Sequence, residues 1–202
     1  MEQGTNEWHM ARAGLVTASR IGDLMARTKS GYAASRANYM AELIVERMTG
    51  VPNEGFTNAA MRWGTETEPF AREAHEIISG CLVNEIGFCR HPTLEAGASP
   101  DGLIGDDGLI EIKCPNTSTH INTLLTGKID KKYMLQMQFQ MLCTERDWCD
   151  FVSYDPRMPE GLTYWCKRVE ADRKAWTEIN EAVDAFLVEL RTKVEALEKL
   201  AA

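Results

Sequence analysis

Asp101, Glu111 and Lys113 are the residues of this chain whose types and spacing best suit chemistry. Glu111 and Lys113 lie in the run Leu109-Ile110-Glu111-Ile112-Lys113, which is rich in apolar and β-branched residues and predicts a strand. Because side chains alternate across a strand, the two project from the same face. Asp101 belongs to Ser99-Pro100-Asp101-Gly102-Leu103, and the turn signal Asp107-Gly108 precedes the strand. If Asp101 lies at the turn end of a neighbouring strand, its carboxylate and that of Glu111 converge. Two such anions repel unless a divalent cation lies between them, and oxygen donors suit Mg²⁺, with Mn²⁺ as a substitute. The Ile112 main-chain carbonyl is a further oxygen for that ion. The cation would polarise a phosphodiester and acidify a water, while Lys113 would orient or deprotonate that water and balance developing charge. The reaction class is phosphodiester hydrolysis. Taken alone, the same residues also fit an Asp-Gly turn beside a solvated strand face.

Elements that could position this group are legible around it. Apolar spacing predicts helices over residues 35–48, 58–78, 132–143 and 172–200, with Pro69 disturbing the middle of the second. Strand-like stretches fall at residues 81–89, 94–98, 109–113, 148–154 and 162–169. No repeat or linker divides the chain, so residues 1–202 read as a single nuclease domain built as a sheet flanked by helices. The start of the chain is polar and acidic, and no apolar run reaches membrane-spanning length, which predicts a cytoplasmic location with no membrane partner. The six cysteines form no CxxC pair and no Cys/His group at zinc-ligand spacing, and they lack the grouping of an iron-sulfur centre. They read as reduced thiols. A net charge of −8 argues against indiscriminate binding to nucleic acid, and if the substrate is DNA, the basic groups that meet it must be concentrated locally.

Further blocks surround the triad: Glu7-Trp8-His9 with Arg12, Gly14 and Thr17-Ala18-Ser19; Trp63-Gly64 with Glu68; Glu111-Ile112-Lys113-Cys114-Pro115; Tyr133-Met134 with Gln136 and Gln138; and Tyr154-Asp155-Pro156-Arg157-Met158. With Ser99 to Leu103 they resemble, in content and order, the phage lambda exonuclease branch of the PD-(D/E)xK nuclease superfamily. The resemblance implies an α/β fold with a central mixed sheet in a restriction-endonuclease-like core. It also implies a 5′-to-3′ exonuclease that acts on double-stranded DNA ends as a ring-shaped homotrimer, leaving 3′ overhangs for a single-strand annealing partner. Such a chain would be phage or prophage encoded.

By the same resemblance, Asp101, Glu111 and Lys113 are catalytic, Glu68 is an additional metal carboxylate, and Gln136 is a helix-borne amide at the site. Arg12, Ser19 and Ser99 resemble a pocket for the 5′-terminal phosphate, a role that suits the planar donors of arginine. Lys29 is a further basic contact, Met61 a wedge at the end of the duplex, and Trp8 a surface on which a base can stack. Other roles stay open for several of these: core packing for Met61, a helix N-cap for Ser19, a buried anchor for Trp8, and a surface position for Gln136 beside Gln138. Residues 29–36 do not match the family closely. Two other functions share the residues, a restriction-type endonuclease and a non-catalytic DNA-end-binding protein; a closed circular substrate separates the first and nucleotide release the second.

Overall fold

The structure is a computed structural model that describes residues 1–53 and 58–201. From the N-terminus, α1 (Asn6–Arg12) leads through β1 (Val16–Thr17) and a short 3₁₀ turn to α2 (Ile21–Met25). A hairpin of β2 (Arg27–Thr28) and β3 (Gly31–Tyr32) precedes α3 (Ala34–Thr49) and α4 (Ala59–Ser79). Then come β4 (Val83–Asn84), β5 (Cys89–Arg90), β6 (Ala96–Ala98), β7 (Gly102–Ile104) and β8 (Gly108–Lys113). The chain continues through α5 (Thr117–Thr126), α6 (Lys131–Thr144), β9 (Trp148–Tyr154) and β10 (Tyr164–Glu170), and α7 (Arg173–Ala201) follows.

The main sheet has the order β10-β9-β8-β7-β4. Its β8–β9 pair is parallel, with Glu111 opposite Phe151 and Lys113 opposite Ser153, and its other pairs are antiparallel. A mixed sheet results, and β8 sits at its centre. A smaller sheet, β1-β6-β5, carries the N-terminal segment alongside. Alternation along β8 divides the core in two. Leu109 joins the larger cluster with Met137 and Phe139 of α6 and Ile179, Val183, Phe186 and Leu190 of α7. Ile110 and Ile112 join a second cluster with Ala71 of α4 and Val152 of β9. The sheet is therefore covered on both faces, as a strand with apolar residues at every position but two requires.

The predicted helices form with caps that explain their ends. Asn58 accepts the Met61 N–H at 2.9 Å and Asp130 accepts the Lys132 N–H at 2.9 Å. The left-handed Gly50 closes α3. Pro69 does not disturb α4, which runs unbroken through it, because the proline ring lies on an exposed face where a missing hydrogen bond is tolerated. The expected strand over residues 81–89 is instead two short strands in different sheets. Helix α5 was not expected from periodicity; its signal is the pair of caps, Asn116 accepting the Thr119 N–H at 3.1 Å and left-handed Gly127.

Candidate active site

The Asp-Gly turn delivers Asp101 to the middle of β8. Gly102 pairs with Ile110, and Asp101 Oδ2 accepts the Ile112 N–H at 2.6 Å. Gly102 is required here because a Cβ would run into the Val83 side chain on β4. Glu111 is fully buried, which is costly for a carboxylate unless its oxygens are satisfied. They are. Gln136 Nε2 donates to Oε1 at 2.6 Å and Gln140 Nε2 donates to Oε2 at 2.7 Å. The Lys113 ammonium completes the set by pairing with Glu111 Oε1, and it lies 5.2 Å from the Tyr133 ring centroid. Ile112, between them, turns its side chain to the other core.

Glu68 approaches from α4, where Arg72 holds its Oε1 at 2.9 Å. Burial, and behind it the neighbouring Glu111, pushes the Asp101 carboxyl well above its usual range. Glu68 is raised as well, by burial first, with Arg72 and Lys113 opposing the rise and Glu111 adding to it. Burial works against the Lys113 charge, yet Glu111 and Asp101 outweigh it and hold the ammonium protonated. Three acidic side chains around one lysine thus favour extra positive charge. An oxygen-rich group of this kind fits a hard divalent cation.

A cavity of about 180 Å³ adjoins the triad, and its wall includes Trp8, Arg12, Thr17, Ser19, Ser99 and Gln136. The resemblance-based pocket residues are therefore together in space, although α1, the 3₁₀ turn and the segment before β7 supply them separately. The Trp8 indole N–H donates to Ser99 Oγ at 2.9 Å, and the Arg12 guanidinium stacks 3.7 Å from the Trp8 ring centroid. Arg12 Nε is buried with no hydrogen-bond partner among the described residues, and burial lowers the pKa of the group. A desolvated guanidinium that feels Glu46 but forms no ion pair among the described residues is suited to receive an anion. Ser19 is exposed and makes no cap; its hydroxyl lies 3.4 Å from that of Thr17.

A larger cavity of about 1020 Å³ opens from the same place, lined by Arg12, Arg62, Glu68, Arg72 and Asp101, with Met61 on its wall. Met61 is 53% exposed and so is not a core residue. Lys29 stands apart, exposed at the turn between β2 and β3 and on the wall of neither cavity.

Gln138 is structural: its carbonyl accepts Asp172 N–H at 2.8 Å and Trp176 Nε1 at 2.9 Å, tying α6 to the start of α7. Gln140, overlooked in the sequence, is fully buried against Glu111. Its signal is the i,i+4 spacing from Gln136, which puts both amides on one face of α6. Gln140→Leu removes a donor from a buried carboxylate, and a stability loss of about 1–3 kcal/mol is expected in denaturant unfolding. A variant as stable as the parent would show that Glu111 does not depend on that amide.

Residues 7–147 match the model of the YqaJ-like viral recombinase domain. The alkaline exonuclease LHK-Exo of Laribacter hongkongensis is 55% identical, with 98% of each chain covered and a TM-score of 0.91. A structure of LHK-Exo in complex with dAMP gives 0.92 at the same identity and coverage. A phage-related exonuclease of Haemophilus somnus 129PT shares the fold at 14% identity, covering 94% of this chain and 99% of its own, with a TM-score of 0.73. No curated protein matches the chain.

Proposed function

We propose, for a chain that belongs to the YqaJ-like viral recombinase family and whose relative LHK-Exo is an alkaline exonuclease, that it degrades duplex DNA from its ends in the 5′-to-3′ direction. The observation that carries this reading is Gln136, which both lines the Arg12 cavity and hydrogen-bonds Glu111. A terminal phosphate held by Arg12, Ser19 and Ser99 would put the next phosphodiester beside the acidic group. The complex of LHK-Exo with dAMP is in keeping with a nucleotide product.

Glu68, Asp101 and Glu111, with the Ile112 carbonyl, would hold Mg²⁺ or Mn²⁺. When bound, the ion supplies charge neutralisation and polarisation of the scissile phosphodiester. Gln136 and Gln140 orient Glu111, and Gln136 is free on its carbonyl side to accept from the attacking water. Lys113, held as an ammonium, donates toward that water and offsets charge on the phosphate as it builds. Trp8 supports Arg12 from behind, Met61 wedges the duplex end, and Lys29 contributes a charge to the approach. The protein acts as a ring-shaped homotrimer, which keeps an acidic chain on DNA without tight binding, and its 3′ overhangs pass to a single-strand annealing protein.

The test uses linear duplexes that differ in their 5′ ends, together with a covalently closed circle, in Mg²⁺. Mononucleotide release from the 5′ strand alone, with the circle untouched, is the expected result. Nicking of the circle would instead favour an endonuclease. Ca²⁺ should support DNA binding without turnover, because its longer and looser coordination positions the water poorly.

The ion should also change stability in a pH-dependent way. Asp101 and Glu68 have folded-state pKa values above their ordinary ones, so their protonation stabilises the metal-free fold at low pH. That contribution is lost as pH rises from about 4 through the raised values. Mg²⁺ replaces those protons. At about 100 times its Kd the ion adds ~2.7 kcal/mol, or roughly 5–10 °C in Tm for a chain of this size, and the gain grows with pH. Equal gains at pH 5 and pH 8 would place the ion elsewhere.

A further inference from the structure

Helix α4 crosses the far face of the main sheet, and beneath it lies a second group of ligand-type side chains. His75 is 1% exposed, Asp150 on β9 is 5% exposed, and Cys166 on β10 is partly buried. A ring nitrogen of His75, a carboxylate oxygen of Asp150 and the Cys166 sulfur all lie within 4.8 Å of one another. Among the described residues His75 Nε2 has no hydrogen-bond partner, and it faces Asp150 Oδ2 at 3.8 Å, too far for a hydrogen bond. A buried ring nitrogen left bare in this way is costly unless something occupies its lone pair.

We propose that His75, Asp150 and Cys166 form a site for one divalent transition metal of the zinc class, separate from the carboxylate site. Asp150 lies opposite Ile110 in the β8–β9 register, so it projects from the sheet face that Glu111 and Lys113 do not use. The donors are nitrogen, sulfur and oxygen, a set that Zn²⁺ accepts and Mg²⁺ does not. A tetrahedral ion with bonds of about 2.0–2.3 Å separates its ligands by roughly 3.3–3.8 Å, so a group within 4.8 Å needs to contract by up to ~1.5 Å. Solvent supplies the fourth ligand.

The surrounding contacts are those that orient metal ligands. Tyr164 Oη lies 2.8 Å from His75 Nδ1. With Nδ1–H donating to that oxygen, Nε2 presents its lone pair. Arg168 grips Asp150 with two bonds of 2.8 Å, fixing the carboxylate plane while leaving lone pairs unused. Asp150 and the Cys166 thiolate balance the dipositive ion, and the thiol proton leaves to solvent. His75 lies two helical turns from Glu68 on the same side of α4, so the ion would pin to the sheet the helix that carries Glu68.

Co²⁺ reports such a site through thiolate-to-metal absorption in the near ultraviolet. The purified protein is titrated with Co²⁺ in excess Mg²⁺, and thermal melts are recorded with and without Zn²⁺ in the same buffer. One Co²⁺ per chain with thiolate absorption is expected, lost in Cys166→Ser and retained in Cys81→Ser and Asp101→Asn. Zn²⁺ at about 100 times its Kd should raise Tm by roughly 5–10 °C. Absence of thiolate absorption in the parent protein, or its persistence in a folded Cys166→Ser, overturns the proposal. Should Cys166→Ser not fold, the melts of the unmodified protein decide: an unchanged Tm with Zn²⁺ overturns it equally.

Discussion

Asp101→Ala, Glu111→Ala and Lys113→Ala are each expected to reduce cleavage by at least about 10² to 10³, the usual loss for one preorganised group that acts on the transition state. Their effects on the fold should differ. Lys113 has a side chain 27% exposed, against a fully buried Glu111, and its removal leaves Glu111 still bonded to Gln136 and Gln140. Lys113→Ala should therefore keep its structure and its DNA binding while losing rate. Glu111→Ala is harsher, because it strands two amide donors and an ammonium in the interior, at about 1–3 kcal/mol for each unsatisfied group. Glu111→Gln keeps the volume and is the better probe of the charge. Asp101→Ala frees the Ile112 N–H, and Asp101→Asn retains an acceptor for it. Nucleotide release in Mg²⁺, read beside circular dichroism and a DNA-binding titration, separates chemistry from folding. Cleavage at the parental rate by a folded Lys113→Ala would remove Lys113 from the mechanism.

Duplexes with a 5′-phosphate should be degraded faster than those with a 5′-hydroxyl, and Arg12→Ala should erase that preference. A charge-assisted pair to a phosphate is roughly twice as strong as a neutral hydrogen bond, and it sets the scissile bond one nucleotide inward. Arg12 is prepared for this role by its burial, its stacking on Trp8 and an Nε that has no partner among the described residues. Arg12→Lys should rescue only partly, since an ammonium is a point charge without the guanidinium fork. Trp8→Phe keeps an aromatic surface but gives up the bond to Ser99, and it should weaken the preference less than Arg12→Ala does. The comparison is made at one ionic strength, because general phosphate contacts weaken with salt and would imitate a specific loss. If Arg12→Ala slows both substrates equally, Arg12 is a general DNA contact and the pocket assignment fails.

Much of this was legible in the chain itself because it depends on local periodicity. Alternation along residues 109–113 is enough to put Glu111 and Lys113 on one face, and Asp107-Gly108 is enough to turn the chain back toward Asp101. The long helices α3, α4 and α7 show their buried stripes at helical spacing, and their ends fall within a residue or so of the predicted ones. Ordered blocks led to the family, which the match over residues 7–147 establishes.

Other features depended on tertiary structure. Helix α6 is buried all round from Met137 to Cys143, so a single stripe could not say which of its glutamines faces the acids. Packing between β8 and α7 decided it, turning Gln140 to Glu111 and Gln138 to Trp176. Periodicity misleads for α5, which buries His120 and Thr123 and leaves Ile121 and Leu125 exposed, and it cannot divide residues 80–90 between two sheets, since strands of two residues are defined by their partners alone. Nor does spacing reveal His75, Asp150 and Cys166, which stand far apart in the chain. Only the register of β9 with β10, and the seat of α4 over them, makes neighbours of a helix and two strands, because long-range pairing rather than local pattern determines which side chains share a face.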